Sequence, residues 1–184
     1  FLFFCRIFMA DSPEEIEAKE KTNDREYYLE LVKTRPTLIE WANEQIRDDK
    51  EVILTAVKVD GGALEFASDR LKNDKEVLIE AVSQAGWTCC YASEKLRADK
   101  DVLLAASKND GQVLYYASKA LRDDKDVVLA AVSNKPIILK YASFRMRDDK
   151  DVAIAAVSKG KNKVLEYISP RLREDEDIKS ILSE

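Results

Sequence analysis

The chain contains no histidine. That absence removes the side chain most often used as a general base near neutral pH and most often found on transition metals. Glycine and proline are scarce, at five and four, which argues against an all-β fold with many tight turns. Cysteine is limited to Cys5, Cys89 and Cys90. An odd count with two neighbours makes a disulfide framework a poor reading and points to a reducing, cytoplasmic compartment. Positive charge is not in excess: 30 Lys and Arg face 35 Asp and Glu, a net charge of −5. Nucleic-acid binding needs a basic face to neutralise phosphates, and anionic membranes select for the same feature. Both partners are therefore disfavoured. The most apolar stretch, Phe1 to Met9, is too short to span a bilayer and lacks a small-x-small cleavage site. Met9-Ala10-Asp11-Ser12-Pro13 reads as a natural start, which makes 1–9 upstream read-through or a disordered leader. The alternative is the remnant of a longer hydrophobic leader.

What the sequence does have is a repeat. Asp49-Lys50-Glu51-Val52 returns at Asp74, Asp99, Asp124 and Asp149, each time after 25 residues. Asp24-Arg25-Glu26-Tyr27 is a degenerate earlier copy, and Asp175-Glu176-Asp177-Ile178 a later one displaced by one residue inserted near Gly160 to Lys163. A second column set follows: Trp41, Phe66, Tyr91, Tyr116, Tyr141 and Tyr167, each followed by Ala or Ile and then Ser or Asn. The units are 24–48, 49–73, 74–98, 99–123, 124–148 and 149–174. Residues 175–184 form a half-repeat in which Lys179 and Ser180 replace apolar residues, so the array is expected to finish there. Residues 10–23 form a charged N-terminal segment or capping helix, opened by a capping-box pattern at Ser12-Pro13-Glu14-Glu15.

Each unit reads as two short helices. In the first, Val52, Ile53, Leu54, Ala56 and Val57 cover more than half of the circumference, as a helix between two neighbours requires. Its Asp sits where an N-cap belongs. Gly61, Gly86 and Gly111 then close the helix, on this reading in the left-handed conformation. Pro36 and Pro136 occupy the same column. Ala63, Leu64, Phe66, Ala67 and Leu71 lie on one arc, which predicts a second helix of about ten residues running through Ser68. The alternative is a break into two turns at the serine. Helices this short need neighbours. The expected fold is all-α: a right-handed α-solenoid of stacked helical hairpins, with each unit supporting the next.

The columns Asp-Lys-Asp/Glu-Val-x-Leu-x-Ala-Val and Leu-x-Tyr-Ala-Ser-x-x-Leu-Arg-x-Asp, best seen from Asp74 to Asp123, resemble the repeat family named domain of unknown function 4116. The resemblance covers about 24 to 177. It implies tandem helical repeats and carries no activity and no catalytic residue. Leu31 and Ile168 depart from its small-residue columns.

Little here reads as catalytic or metal-binding chemistry. The acids Asp48, Asp49, Asp123, Asp124, Asp148 and Asp149 lack the alternate-position spacing and glycine turn of a calcium loop. They read as helix caps and a ladder of charges. The aromatic column reads as core between repeats rather than a base-stacking ladder. Cys89 aligns with Leu64 and Leu114 as a core residue, and nothing adjacent activates the outer Cys90. No cofactor and no metal is expected. The variable columns carry the functional reading. Two of them, three residues apart, give Thr37/Glu40, Gly62/Glu65, Trp87/Cys90, Gln112/Tyr115 and Ile137/Lys140. Trp87, Tyr115 and Ile137, with Cys90, Gln112 and Lys140 beside them, form a candidate face for a protein or peptide. The alternative is that Trp87 and Ile137 fold back and bury themselves. The expected function is a non-catalytic interaction scaffold, monomeric or weakly self-associating. An enzyme of undetected type and a nucleic-acid-binding array are the alternatives.

Overall fold

The computed structural model describes residues 11–109 and 111–183, and all regular structure among them is helical. Residues 1–9, Cys5 among them, and the start at Met9-Ala10 lie outside the described residues. The units open on α-helices at Arg25–Leu31, Lys50–Val59, Lys75–Gln84, Lys100–Ser107, Lys125–Asn134 and Lys150–Gly160, and Glu176–Ser183 follows the last unit. These lead helices pack each on the next. Val52, Ile53, Ala56 and Val57 are fully buried, as are Val127, Val128, Ala131 and Val132. The alanine column, Ala56, Ala81, Ala106, Ala131 and Ala156, is sealed along its length, so neighbouring helices meet without large side chains between them. Ahead of the repeats, Pro13–Glu20 is a helix whose Ser12 and Glu15 form a reciprocal capping box. It is tied down by the buried Tyr28, whose hydroxyl donates to the Ala18 carbonyl at 2.9 Å. Burial pushes the Tyr28 phenol up to about 12.

The second arm of the unit differs from the ten-residue helix that the apolar arc suggests. It begins as a 3₁₀ segment, at Pro36–Trp41, Gly61–Phe66, Gly86–Tyr91, Gly111–Tyr115, Pro136–Tyr141 and Lys161–Tyr167. An extended Ala-Ser pair follows (Ala67 ψ 157°, Ser68 ψ 158°) and then one α-turn, Asp69–Lys72. Serine causes the break. The Ser68 hydroxyl accepts from the Leu71 N–H at 3.2 Å, which restarts the chain as a new helix. The Ser68 N–H donates instead to the Arg47 carbonyl of the preceding unit at 3.0 Å. A backbone hydrogen bond that would have continued the helix is thereby spent between repeats. The arc survives the break because Ala63, Leu64 and Leu71 all remain buried.

The glycines also act differently from the expected left-handed caps: no described glycine has a positive φ. At Gly61 the reason is close approach. A Cβ there would lie 2.3 Å from the Ala81 carbonyl oxygen of the next lead helix, a distance no side chain tolerates. At Pro136 the small residue has moved to the neighbour, where a Cβ on Gly160 would meet Pro136 Cβ at 2.9 Å.

The recurring Asp-Lys-acid loops form the ladder. Asp124 Oδ1 accepts from the Asp126 and Val127 N–H groups at 3.1 Å each, capping its helix. Its Oδ2 receives Lys100 Nζ of the preceding unit at 2.9 Å, and the same ammonium reaches Asp126 at 2.6 Å. Lys50, Lys75, Lys125 and Lys150 repeat the arrangement, and Arg25 does so in the first unit. The Lys75 hydrogen bond holds the Asp99 carboxyl below the usual carboxylate range. At Asp124, burial pushes upward, but Lys100 and the two backbone N–H groups outweigh it. A second rung links the α-turns. Asp123 accepts from the Ser143 hydroxyl, and from Arg145 Nε at 3.1 Å, while Arg145 Nη2 donates to the Asp123 carbonyl at 2.6 Å. The same rung joins Asp48 to Ser68 and Arg70, and Asp148 to Ser169 and Arg171.

Candidate functional site

The 3₁₀ segments stack on one another in chain order. Their three residues per turn bring positions i and i+3 into line. The variable pairs therefore form a double row along one edge. Trp87 keeps 43% of its surface exposed and Tyr115 keeps 55%. Cys90, Gln112 and Lys140 are exposed as well, while Ile137 is half-buried.

Neighbours shape this edge. Trp87 leans toward the preceding unit, where a Cβ on Gly62 would stand 3.4 Å from Trp87 Cζ2. The small residue in one unit thus seats the large one in the next. Trp87 also meets Tyr91 edge-on at 5.9 Å. Tyr115 is edge-on to Tyr116 at 5.0 Å and to Tyr141 of the next unit at 5.2 Å. Lys140 Nζ stands over the Tyr141 ring at 4.9 Å. The Tyr115 backbone is held as well, since its carbonyl accepts from Arg122 Nη2 at 2.8 Å. The aromatic column proper, from Trp41 to Tyr167, lies partly buried against the core.

Cys89 is buried and its thiol is pushed up to about 11 by desolvation. The Cys90 thiol is also raised, by desolvation first and with Glu65 adding to it. Neither environment favours a thiolate. Among the described residues no group of three or more Cys, Asp or Glu is placed to hold a metal ion. The loop acids are engaged instead with helix N-termini, lysines and arginines. No helix among the described residues is long and apolar enough to cross a membrane.

Two features of this side of the molecule escape the column reading. Phe144 is 73% exposed. It stands where the other units carry Glu44, Asp69, Glu94 and Lys119, so the rule of variable positions finds it once applied to the α-turn. The second is a cleft beside Ile137, about 360 Å³ in volume, whose walls carry Lys135, Lys159, Lys161 and Lys163. These lysines cluster through the one-residue insertion, which the regular columns do not register.

The fold and this edge define a tandem helical repeat protein. The chain matches the family model described as a domain of unknown function (DUF4116) at 24–72, 49–97, 74–122 and 99–147. These windows overlap by one repeat and together cover more than half of the chain, so the protein belongs to that family. No curated protein and no solved structure matches it.

Proposed function

We propose that this protein is a non-catalytic scaffold, a right-handed α-solenoid whose 3₁₀ edge holds a protein or peptide partner. The observation that carries the reading is the row of exposed Trp87 and Tyr115. Both are large aromatics on positions the repeat leaves free, each seated by a neighbouring unit. Aromatic anchors of this kind dominate the energetics of protein interfaces. Cys90, Gln112, Ile137 and Lys140 supply the surroundings of the anchors. The stacking of lead helix on lead helix and of 3₁₀ segment on 3₁₀ segment supports a solenoid. The raised thiols of Cys89 and Cys90 argue against a cysteine nucleophile. The net charge of −5 argues against nucleic acid and anionic membrane as partners. A reducing, cytoplasmic setting suits the free thiols of Cys89 and Cys90, and the protein works as a monomer or a weak homo-oligomer.

The test is Trp87→Ser with Tyr115→Ser, measured by pull-down from native extract and by thermal melting. The expected result is loss of captured partner with a melting temperature near that of the wild type. Loss of fold without a separate loss of binding counts against the proposal.

A further inference from the structure

Two of the grooves on this protein are products of the repeat. One is lined by Glu44, Arg47, Asp48 and Ser68, and another by Glu94, Arg97, Ala98 and Ser118. The second set is the first moved along by two units, so both grooves belong to the scaffold. The cleft between Lys135 and Lys163 has a different origin. It arises at the insertion, where the lead helix Lys150–Gly160 ends on Lys161 with φ 48° and ψ −138°. That is a sparsely populated conformation for a residue with a Cβ. Here the register breaks, and the walls open over a floor that includes Ile137 and Val164.

The charge of this cleft opposes that of the molecule. The ladder lysines, Lys50, Lys75, Lys100, Lys125 and Lys150, each bridge two acids. Lys135, Lys159, Lys161 and Lys163 meet no carboxylate among the described residues. Lys159 reaches only the Ser133 carbonyl, and Lys161 the Ile181 carbonyl at 2.8 Å. Four unneutralised ammonium groups around an apolar floor repel one another unless an anion joins them.

We infer that this cleft receives an acidic peptide segment of a partner protein, with one apolar side chain on the Ile137–Val164 floor and carboxylates against the lysines. The inference rests on the scaffold reading and names the chemistry of its partner. A bare phosphate leaves the floor unused. A long polyanion must run beyond the four lysines onto the surface of a chain with net charge −5, which repels it, whereas a short acidic segment stays within their reach. Lysines, as flexible point charges, suit carboxylates of varied placement, whereas arginine forks suit fixed bidentate ones. Ile137 belongs both to this cleft and to the edge that carries Tyr115, so one extended segment can continue from one to the other.

The experiment is fluorescence anisotropy of the full chain with a labelled nonapeptide, one leucine flanked on each side by four glutamates. Its glutamine counterpart, a phosphatidylserine vesicle and a single-stranded oligonucleotide are run in parallel. The expected result is saturable binding of the glutamate peptide that weakens as salt rises. Binding should fall at least about tenfold in K135E/K163E, and also in Ile137→Ser. It should be absent for the glutamine peptide. Circular dichroism reports whether each variant folds, and K159A/K163A provides a milder change at the same walls. Absence of saturable binding, equal binding of the glutamine peptide, or insensitivity to both lysine pairs overturns the inference. So does tighter capture of vesicle or oligonucleotide through the same lysines. Failure of the nonapeptide with retained dependence of the native partner on Trp87 and Tyr115 removes only the cleft inference. The reverse outcome removes the aromatic edge as the docking face.

Discussion

The fourth unit, 99–123, and the fifth, 124–148, share a pattern and differ in two of their own positions and in one that the preceding unit contributes. In the core column, Ser107 stands where the fifth unit has Val132 and others have Val57, Val82 and Val157, all of them buried. The Ser107 hydroxyl donates back to the Leu103 carbonyl at 2.7 Å, a bond that weakens and bends helices. The lead helix of the fourth unit ends there, at eight residues, against ten for Lys125–Asn134. The other two differences remove the rung to the preceding unit. Ala98, the last residue of the third unit, faces the fourth where Asp123 of the fourth unit serves the fifth, and Ala120 replaces the arginine seen at Arg145. With neither group present, Ser118 caps Leu121 at 3.3 Å, yet the turn at Leu121–Asp123 stays 3₁₀, whereas Phe144–Arg147 is α-helical. A repeat array is as stable as its units and their interfaces. The comparison therefore makes the fourth unit the weak link, lying between Trp87 on one side and the lysine cleft on the other.

The largest expected effect comes from moving the defect. Val132→Ser should destabilise the protein by about 2 kcal/mol, through lost apolar burial and a hydroxyl placed in the core. Denaturant titration measures it, and a change near zero would mean that the two sites are not equivalent. The reverse change, Ser107→Val, should stabilise by about 1 kcal/mol and lengthen the lead helix. Greater amide protection over 100–109 is the observable.

Removing one cap is next. Asp124→Ala should cost about 1 kcal/mol, because it frees the Asp126 and Val127 N–H groups and leaves Lys100 with Asp126 alone. All units share this device, which gives a pH dependence. The carboxyls of Asp49, Asp99 and Asp124 are depressed in the folded chain. Their stabilisation is present above the unfolded carboxylate value, near 4 on the usual scale, and is lost as pH falls through the lower folded values. Melting temperature should therefore hold from neutral pH down to about 5 and fall steeply below about 4. A flat profile through that range would remove the caps from the account. The smallest effect is expected from rebuilding the rung with A98D/A120R. This pair should slow hydrogen exchange at 118–123 and leave the fifth unit unchanged.

Much of the fold is legible in the residues. The 25-residue period places every lead helix and its Asp cap, and the insertion near Gly160 is visible as a slip of register. The columns of Trp87 and Tyr115 are legible as variable, because columns shared by all units mark the inside, but the residues alone left open a Trp87 folded back and buried, and the fold decided its exposure. The 3₁₀ segment is not legible in the same way. An apolar arc over Ala63 to Leu71 fits an α-helix, and the competing hydrogen bond from the Ser68 N–H goes to Arg47, a residue of another unit. The lysine cleft stayed hidden for a related reason. Lys135 and Lys163 are ordinary surface residues until neighbouring units bring their turns together.

By itself the sequence determined what is local and periodic: helical units, their caps, the buried columns, and the family to which they belong. The tertiary structure decided what depends on the neighbour. It set the break at serine, the need for Gly61 beside the Ala81 carbonyl, the seat of Trp87 over Gly62 and the gathering of four lysines where the register slips. The physical reason is that no unit buries its faces alone. Each hydrogen-bonding and packing choice inside one unit is settled by the surface of the next.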